Sequence, residues 1–248
     1  LIVVLLPIAA LVWESHKPST IDGTGFWQTI SNPEAVSALE TTFIATLIVV
    51  AINAVIGTVI AWVLVRDDFP GKSIVNAIID LPFALPTIVA GVTLLALYGD
   101  NSPVGIHFAT TRVSVVVALL FVTLPFVVRT VQPVLIELDP EMEQAARSLG
   151  ASDFTVFRTI VLPNLVPGIL SGCVLAFSRA FGEIGVVLVF TGGLAYRTEV
   201  MSVYIFKQVQ QFNTATSAAL AVVMLVAAFA MILLFGAIRF FLTRHERA

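Results

Sequence analysis

Charge is scarce in this sequence. Aspartate, glutamate, lysine and arginine together fill 12% of its 248 positions, about half their share in a soluble globular domain. That scarcity excludes an ordinary water-facing surface. Cysteine is scarcer still: Cys173 stands alone, so neither an internal disulfide nor a thiolate metal cage can form. His16, His107 and His245 are the only histidines, and they make no metal constellation. There is no basic run, and a net charge of −3 leaves no electrostatic footprint for nucleic acid. Gly71-Lys72-Ser73 has the shape of the end of a nucleotide-binding loop, but Arg66 occupies the position where the first glycine is required. Without that glycine there is no phosphate cradle. Internal repeats and low-complexity linkers are absent too.

What the chain has in abundance is apolar surface: 58% of residues and a mean hydropathy of +1.00. A bilayer core takes about 20 apolar residues as a helix. Five stretches reach that length: Ala38–Val65, Ile74–Tyr98, Val113–Ile136, Leu165–Phe190 and Ser217–Leu242. A sixth, Leu1–Trp13, is short and begins without methionine, as expected of a first helix that starts before the sequence given. A signal-peptide core is the rival reading, against which Glu14-Ser15-His16 makes a poor cleavage site. The expectation is an all-α polytopic membrane protein of about six transmembrane helices. It forms one membrane domain over 1–248, with its core at 33–244, a first helix at 1–13 and a helix-turn-helix loop at 137–164.

Arginine and lysine fall unequally on the two faces these spans define. Arg66, Lys72, Arg147, Arg158, Arg239, Arg244 and Arg247 share one face, while Lys17, Arg112, Arg197 and Lys207 share the other. Arg129 and Arg179 remain within spans. The positive-inside rule places the seven, the 137–164 loop and the C-terminus in the cytosol.

That loop carries its own folding signals. Asp139-Pro140 is a helix start, since aspartate caps and proline suits the first helical position. Glu141 and Glu143 then fall in the first turn, where carboxylates oppose the helix dipole favourably. Ala145 and Ala146 leave a flat patch, and Gly150 supplies the permissive backbone of a turn. Ser152 caps a second helix on which Phe154, Phe157 and Ile160 form one apolar stripe, with Pro163 expected to stop it before the next span. On spacing alone this is either a docking knob for a partner or an ordinary helix pair covering its own bundle.

The run Glu143-Gln144-Ala145-Ala146-Arg147-Ser148-Leu149-Gly150, nine residues, then Ile160-Val161-Leu162-Pro163 resembles the Glu-Ala-Ala loop of ATP-binding-cassette importer permeases. Asp80-Leu81-Pro82-Phe83-Ala84-Leu85-Pro86-Thr87, Pro125–Pro133 and Ser178–Gly185 resemble the sulfate/thiosulfate branch. Within it the chain is most similar to T-type rather than W-type subunits, over roughly Pro33 to Arg244. One position departs: the family's first glutamate falls on Gln144, with Glu143 beside it and about 100° round the helix. Position 144 therefore has no carboxylate for a salt bridge carried over from the family, while the shape of the knob is kept.

The resemblance implies a permease working with a sister permease of the W-type and two ATPase subunits that bind ATP and magnesium. An extracytoplasmic binding protein delivers sulfate. The subunit itself would hold no cofactor, hydrolyse no ATP, and sit in lipid at the cell membrane. Molybdate and tungstate permeases share much of the pattern, so those anions remain alternatives. An ion-coupled transporter would need acidic coupling sites instead, and a membrane enzyme would need a polar cluster at one surface.

Polar residues inside spans cost about 2.5–3.5 kcal/mol each on insertion scales, so each needs a reason. Arg179 and Glu183 share a helix face and can pair, either as a clamp or with Arg179 turned to the anion. Gly168, Gly172, Ala176 and Ala180 make a small-residue ridge on the same helix. Arg129, flanked by Thr130 and Gln132, has no partner at helical spacing, and either faces a dianion path or snorkels to the interface. Asp80 is expected to meet a cation or backbone freed by Pro82 and Pro86, whose missing donors favour a broken helix. Asn53 is expected to bond another helix.

Overall fold

A computed structural model describes residues 1–19 and 21–243, with side chains through Ile238. Arg244, His245, Arg247 and the C-terminus lie outside the described residues. Every described element is helical: α1 Ile2–Ser15, α2 Phe26–Ile30, α3 Pro33–Arg66, α4 Lys72–Ala84, α5 Thr87–Tyr98, α6 Arg112–Glu137, α7 Pro140–Ser148, α8 Asp153–Val156, a π-helical turn Phe157–Val161, α9 Leu162–Phe181, α10 Gly185–Thr191, α11 Met201–Gln210 and α12 Thr214–Thr243. Among the described residues four helices are long and apolar enough to cross a membrane, and α4 with α5 makes a fifth if the bent pair counts as one span. The about six expected spans thus become four long helices, one bent pair and α1, whose 14 residues fall short of crossing length.

Local chemistry sets the ends of these helices. Asn32 accepts from the Glu34 N–H at 2.9 Å with Pro33 in the first turn, and α3 then runs 34 residues, about 51 Å. That exceeds a hydrocarbon core of about 30 Å, so Arg66 can stand clear of the apolar zone. The Ile74–Tyr98 span is broken, as its prolines favoured. Leu85, held extended before Pro86, separates α4 from α5, which are bent by 116°. Pro82 lies inside α4 without ending it.

Two expectations about the next span are corrected. Leu165–Phe190 is not one helix: α9 ends at Phe181 and α10 restarts at Gly185, where the Glu183 carboxylate accepts the Val186 N–H at 3.1 Å. Nor does Pro163 stop the preceding helix. The chain widens to a π turn, so the Leu162 N–H reaches Phe157 O. Five-residue spacing accommodates a proline's missing donor in a continuous Asp153–Phe181 helix.

The centre of the bundle is α3, α6 and α9, packed against one another. Val127, Val128, Val131, Leu165, Ala176 and Phe177 are fully buried there. The small-residue ridge of α9 does what its spacing promised. A Cβ on Gly172 would lie 2.7 Å from Val127 Cα, and one on Gly168 would lie 3.1 Å from Thr130 O. Asn53 on α3 donates to Thr123 Oγ1 on α6 at 2.8 Å.

At the end of the bundle away from the α7–α8 loop lies a buried pair that the sequence did not announce. Lys207 Nζ donates to Glu199 Oε1 at 2.5 Å and to Gly193 O at 2.7 Å. Burial pushes the Glu199 carboxyl above its ordinary range, Lys207 pulls it back down, and nearby Glu34 adds to the push. Lys207→Met should therefore lower Tm in detergent more at about pH 8 than at lower pH, because folding must then either bury the Glu199 charge without its cation or keep its proton against solvent. The cost is about 2 kcal/mol, below the full buried-pair figure because Lys207 is partly exposed. A raised folded pKa favours folding once pH falls through it, so the deficit should shrink at about pH 5. Equal deficits at both pH values would contradict this account.

Candidate functional site

The α7–α8 loop is built as its caps dictate. Asp139 accepts from the Glu141 N–H at 2.9 Å and Ser152 from the Thr155 N–H at 3.3 Å. Between the two helices Gly150 takes φ +88°, and the Ala151 N–H closes onto Ala146 O at 3.1 Å. Arg147 Nε reaches across the turn to Asp153 at 2.9 Å, so the two short helices are tied to each other.

They are also tied to α3. Arg66, the last residue of α3, donates to Glu143, which is 4% exposed and also meets Arg147 at 3.4 Å. The Arg66 guanidinium stands 5.3 Å over the Trp62 ring, and Trp62 meets Phe157 edge-on at 5.7 Å between centroids. One turn of α3 therefore grips both sides of the loop, through charge on α7 and through an aromatic ring after α8. Arg66 and Trp62 were missed as site residues, although their spacing of four places them on one helix face.

The departure at position 144 resolves in the geometry. The buried carboxylate is Glu143, while Gln144 and Ala145 face outward and Ala146 is half-buried. Leu149 is 89% exposed and Phe154 70%. Phe154 thus leaves the expected stripe: Val156 and Val161 are the buried members, with Phe157 and Ile160 partly covered. Leu162 and Pro163 belong to the first turn of α9. The result is a knob that holds Leu149 and Phe154 outward beside small residues, among polar neighbours, and is braced from behind.

A second polar group lies between α4 and α6, and it corrects the reading of Arg129 as unpartnered. All five guanidinium N–H donors are engaged. Nε and Nη2 take Asp80 at 2.7 and 2.6 Å, Nη1 takes Asn76 Oδ1 at 3.1 Å and Gln132 at 2.5 Å, and Nη2 also takes Asn76 O at 3.1 Å. Gln132 is a partner at helical spacing on α6 itself, but Asp80 and Asn76 stand about 50 residues away on α4, where helical spacing could not reveal them. Thr130 turns back to bond Phe126 O at 3.0 Å and lies against Gly172. Pro82 stays within α4, and Pro86 marks the bend.

Arg179 donates to Glu183, whose other oxygen holds the first turn of α10. Glu183 is 2% exposed, and Ser202 donates to its backbone oxygen. The pair therefore stands at a helix break, between the long α9 and the short α10. Gly185 fits there only because it lacks a side chain: a Cβ would lie 3.1 Å from the Ile88 nitrogen in the first turn of α5. The two broken spans thus meet at their breaks.

The architecture has known counterparts. A solved bacterial ABC transporter involved in import of the acidic polysaccharide alginate superposes with a TM-score of 0.78, at 16% identity over 95% of this chain and 89% of that one. A methionine ABC transporter in an inward-facing conformation gives 0.64, at 19% identity over 84% and 95%. At those identities the likeness is one of fold. Sequence relatives are nearer. The sulfate transport system permease protein CysT of Salmonella typhimurium is 42% identical over 95% of this chain and 86% of its own length. That of Synechocystis is 42% identical over 94% and 83%. A probable counterpart in Chlorokybus atmophyticus is 43% identical over 94% and 82%. The family model described as binding-protein-dependent transport system inner membrane component matches residues 53–247, and with relatives this similar over nearly the whole chain, the protein belongs to that family.

Proposed function

We propose that this chain is the transmembrane subunit of an ATP-driven importer of sulfate or thiosulfate. The observation that carries the proposal is the bracing of the α7–α8 knob on the end of α3 by Arg66–Glu143 and Trp62–Phe157. A push on Leu149, Phe154 or the alanine patch is delivered to a helix that runs the whole thickness of the bundle. A loop that merely covered its own bundle would not hold its largest apolar side chains outward. The arginine and lysine bias supports a cytosolic loop, where an ATPase can reach it.

In this reading two ATPase subunits bind ATP and magnesium, hydrolyse the nucleotide and move the knobs. This subunit holds no nucleotide and carries out no chemistry. Residues 33–244 act as one transmembrane unit in the cell membrane beside a W-type sister, and an extracytoplasmic protein hands over the anion. The sulfate relatives support the substrate class, and the cationic Arg129 in a wall of the bundle is of the right sign.

The test is radiolabelled sulfate uptake in cells carrying the full transporter, with molybdate as competitor, alongside co-purification of an ATPase. Uptake that needs the ATPase and resists molybdate supports the proposal; uptake suppressed by molybdate at lower concentrations than sulfate would redirect it to that anion. Gly150→Asp gives the sharper reading. The site has φ +88° with nothing within 4 Å of a new Cβ, so the strain is only about 1–2 kcal/mol, while a carboxylate enters the docking face. Uptake should fall more than tenfold with the subunit still in the membrane. Wild-type uptake would remove the loop from the mechanism.

A further inference from the structure

Below the Arg129 network, α3, α4 and α6 enclose an open groove of about 460 Å³ lined by Lys72, Asn76, Arg129 and Gln132 with Leu64 and Ile136 among its apolar walls. Two cations face one groove, and each has its own carboxylate beside it. Arg129 holds Asp80, while Lys72 bonds Asp68 at 3.1 Å and Asp67 O at 2.9 Å. We propose that this groove is a transient site for the transported tetrahedral dianion, which enters by displacing Asp80 from Arg129. The inference rests on the import reading above and deepens it.

The argument begins with saturation. Because all five Arg129 donors are used, no anion can bond the guanidinium unless an acceptor leaves. Asn76 O is fixed in helix α4 and the Asn76 and Gln132 side chains are partly buried, whereas the Asp80 side chain is half exposed and water can solvate it as it swings away. A dianion brings more charge than the carboxylate it replaces, and Lys72 matches the second charge. Between transport events Asp80 keeps the guanidinium neutralised in a wall that could not otherwise hold a bare cation. The exchange also loosens α4. Ile79 is the one buried residue in that helix and packs in the core with Val127 and Val128, so the Arg129 bonds and the Phe83–Phe126 edge contact at 5.0 Å carry much of what remains of its hold on α6.

The experiment uses the assembled transporter with its ATPases, nucleotide-free, in phosphatidylcholine nanodiscs, and measures equilibrium binding of radiolabelled sulfate. Asp80→Asn removes the competing charge but keeps the side chain's shape. It should bind sulfate about tenfold more tightly, the worth of one charge-assisted hydrogen bond, and turn over more slowly. Arg129→Gln and Lys72→Gln should each bind at least tenfold more weakly. Opposite signs at positions 80 and 129 are the signature of exchange. Loss of sulfate binding in both would show a structural clamp and overturn the proposal, as would an unchanged Asp80→Asn. Should Arg129→Gln fail to assemble, Asp80→Asn and Lys72→Gln decide the matter.

Phosphate headgroups share the ligand chemistry, so a parallel arm adds phosphatidylglycerol. If the substitutions alter only retention of that lipid and leave sulfate untouched, the groove is a lipid site and the proposal falls. ATP-dependent sulfate uptake by the wild-type complex keeps the two levels apart. Without it the import reading fails, whereas uptake together with indifference at Asp80 removes only the exchange.

Discussion

Glu143→Ala is expected to abolish sulfate uptake while the subunit still reaches the membrane. Glu143 is buried at 4% exposure and answers two arginines, Arg66 from α3 and Arg147 from its own helix. Removing it leaves Arg66 against Trp62 with no carboxylate. Deleting one partner of a buried pair costs about 3–5 kcal/mol. Here about 2–3 kcal/mol is reasonable, because both arginines are partly exposed and water can solvate them.

That energy falls on a joint rather than on a core. The bundle centre at Val127, Val131 and Phe177 does not involve it, so the helices should pack as before. What fails is the stiffness between knob and α3. ATPase activity in the reconstituted complex should persist and lose its response to sulfate, with uptake down at least tenfold. Gln144→Ala, at an exposed position one step away, should be much milder. Equal effects at 143 and 144 would mean that the outward face matters and the brace does not.

The contrast between those neighbours shows what the sequence could reveal. The loop was legible because its signals are local: Asp139, Gly150 and Ser152 each act on backbone within three residues. The ridge on α9 was legible because a period of four places small residues on one face whatever they meet. Arg129 was opaque for the opposite reason, since its partners Asn76 and Asp80 come from a separate helix. The break after Phe181 hid beneath continuous hydrophobicity from Val186 to Phe190. It is set by a Glu183 bond to the Val186 N–H and by close approach of Gly185 to α5, neither of which alters hydropathy. Pro163 misled because a single proline ends a helix only when no wider turn can absorb it, and the π turn before Leu162 does so.

Gly172→Leu should be the most damaging single substitution, preventing assembly altogether. Its first added carbon would lie 2.4 Å from Thr130 Oγ1 and 2.7 Å from Val127 Cα. A hydroxyl can rotate, but a backbone carbon cannot, so α6 and α9 must separate. Overpacking costs about 1–3 kcal/mol where neighbours give way. Here the three further carbons of leucine meet Val127, which is fully buried, and the cost should exceed that range. Gly172→Ala should be intermediate.

Gly236→Leu on α12 is the control, since nothing lies within 4 Å of its added Cβ. Both substitutions gain the same helix propensity, somewhat less than the about 0.8–1 kcal/mol that separates glycine from alanine, so a difference between them reports packing alone. Size-exclusion profiles in detergent should show a single species for Gly236→Leu and aggregated or missing protein for Gly172→Leu. Normal profiles and uptake for both would mean that α6 and α9 need not touch. Arg129 rides on α6 and Arg179 on α9, with its partner Glu183 just past the end of α9, while the α7–α8 loop joins those two helices. In the proposed importer, their close contact would carry a displacement of the knob to both polar groups as one movement.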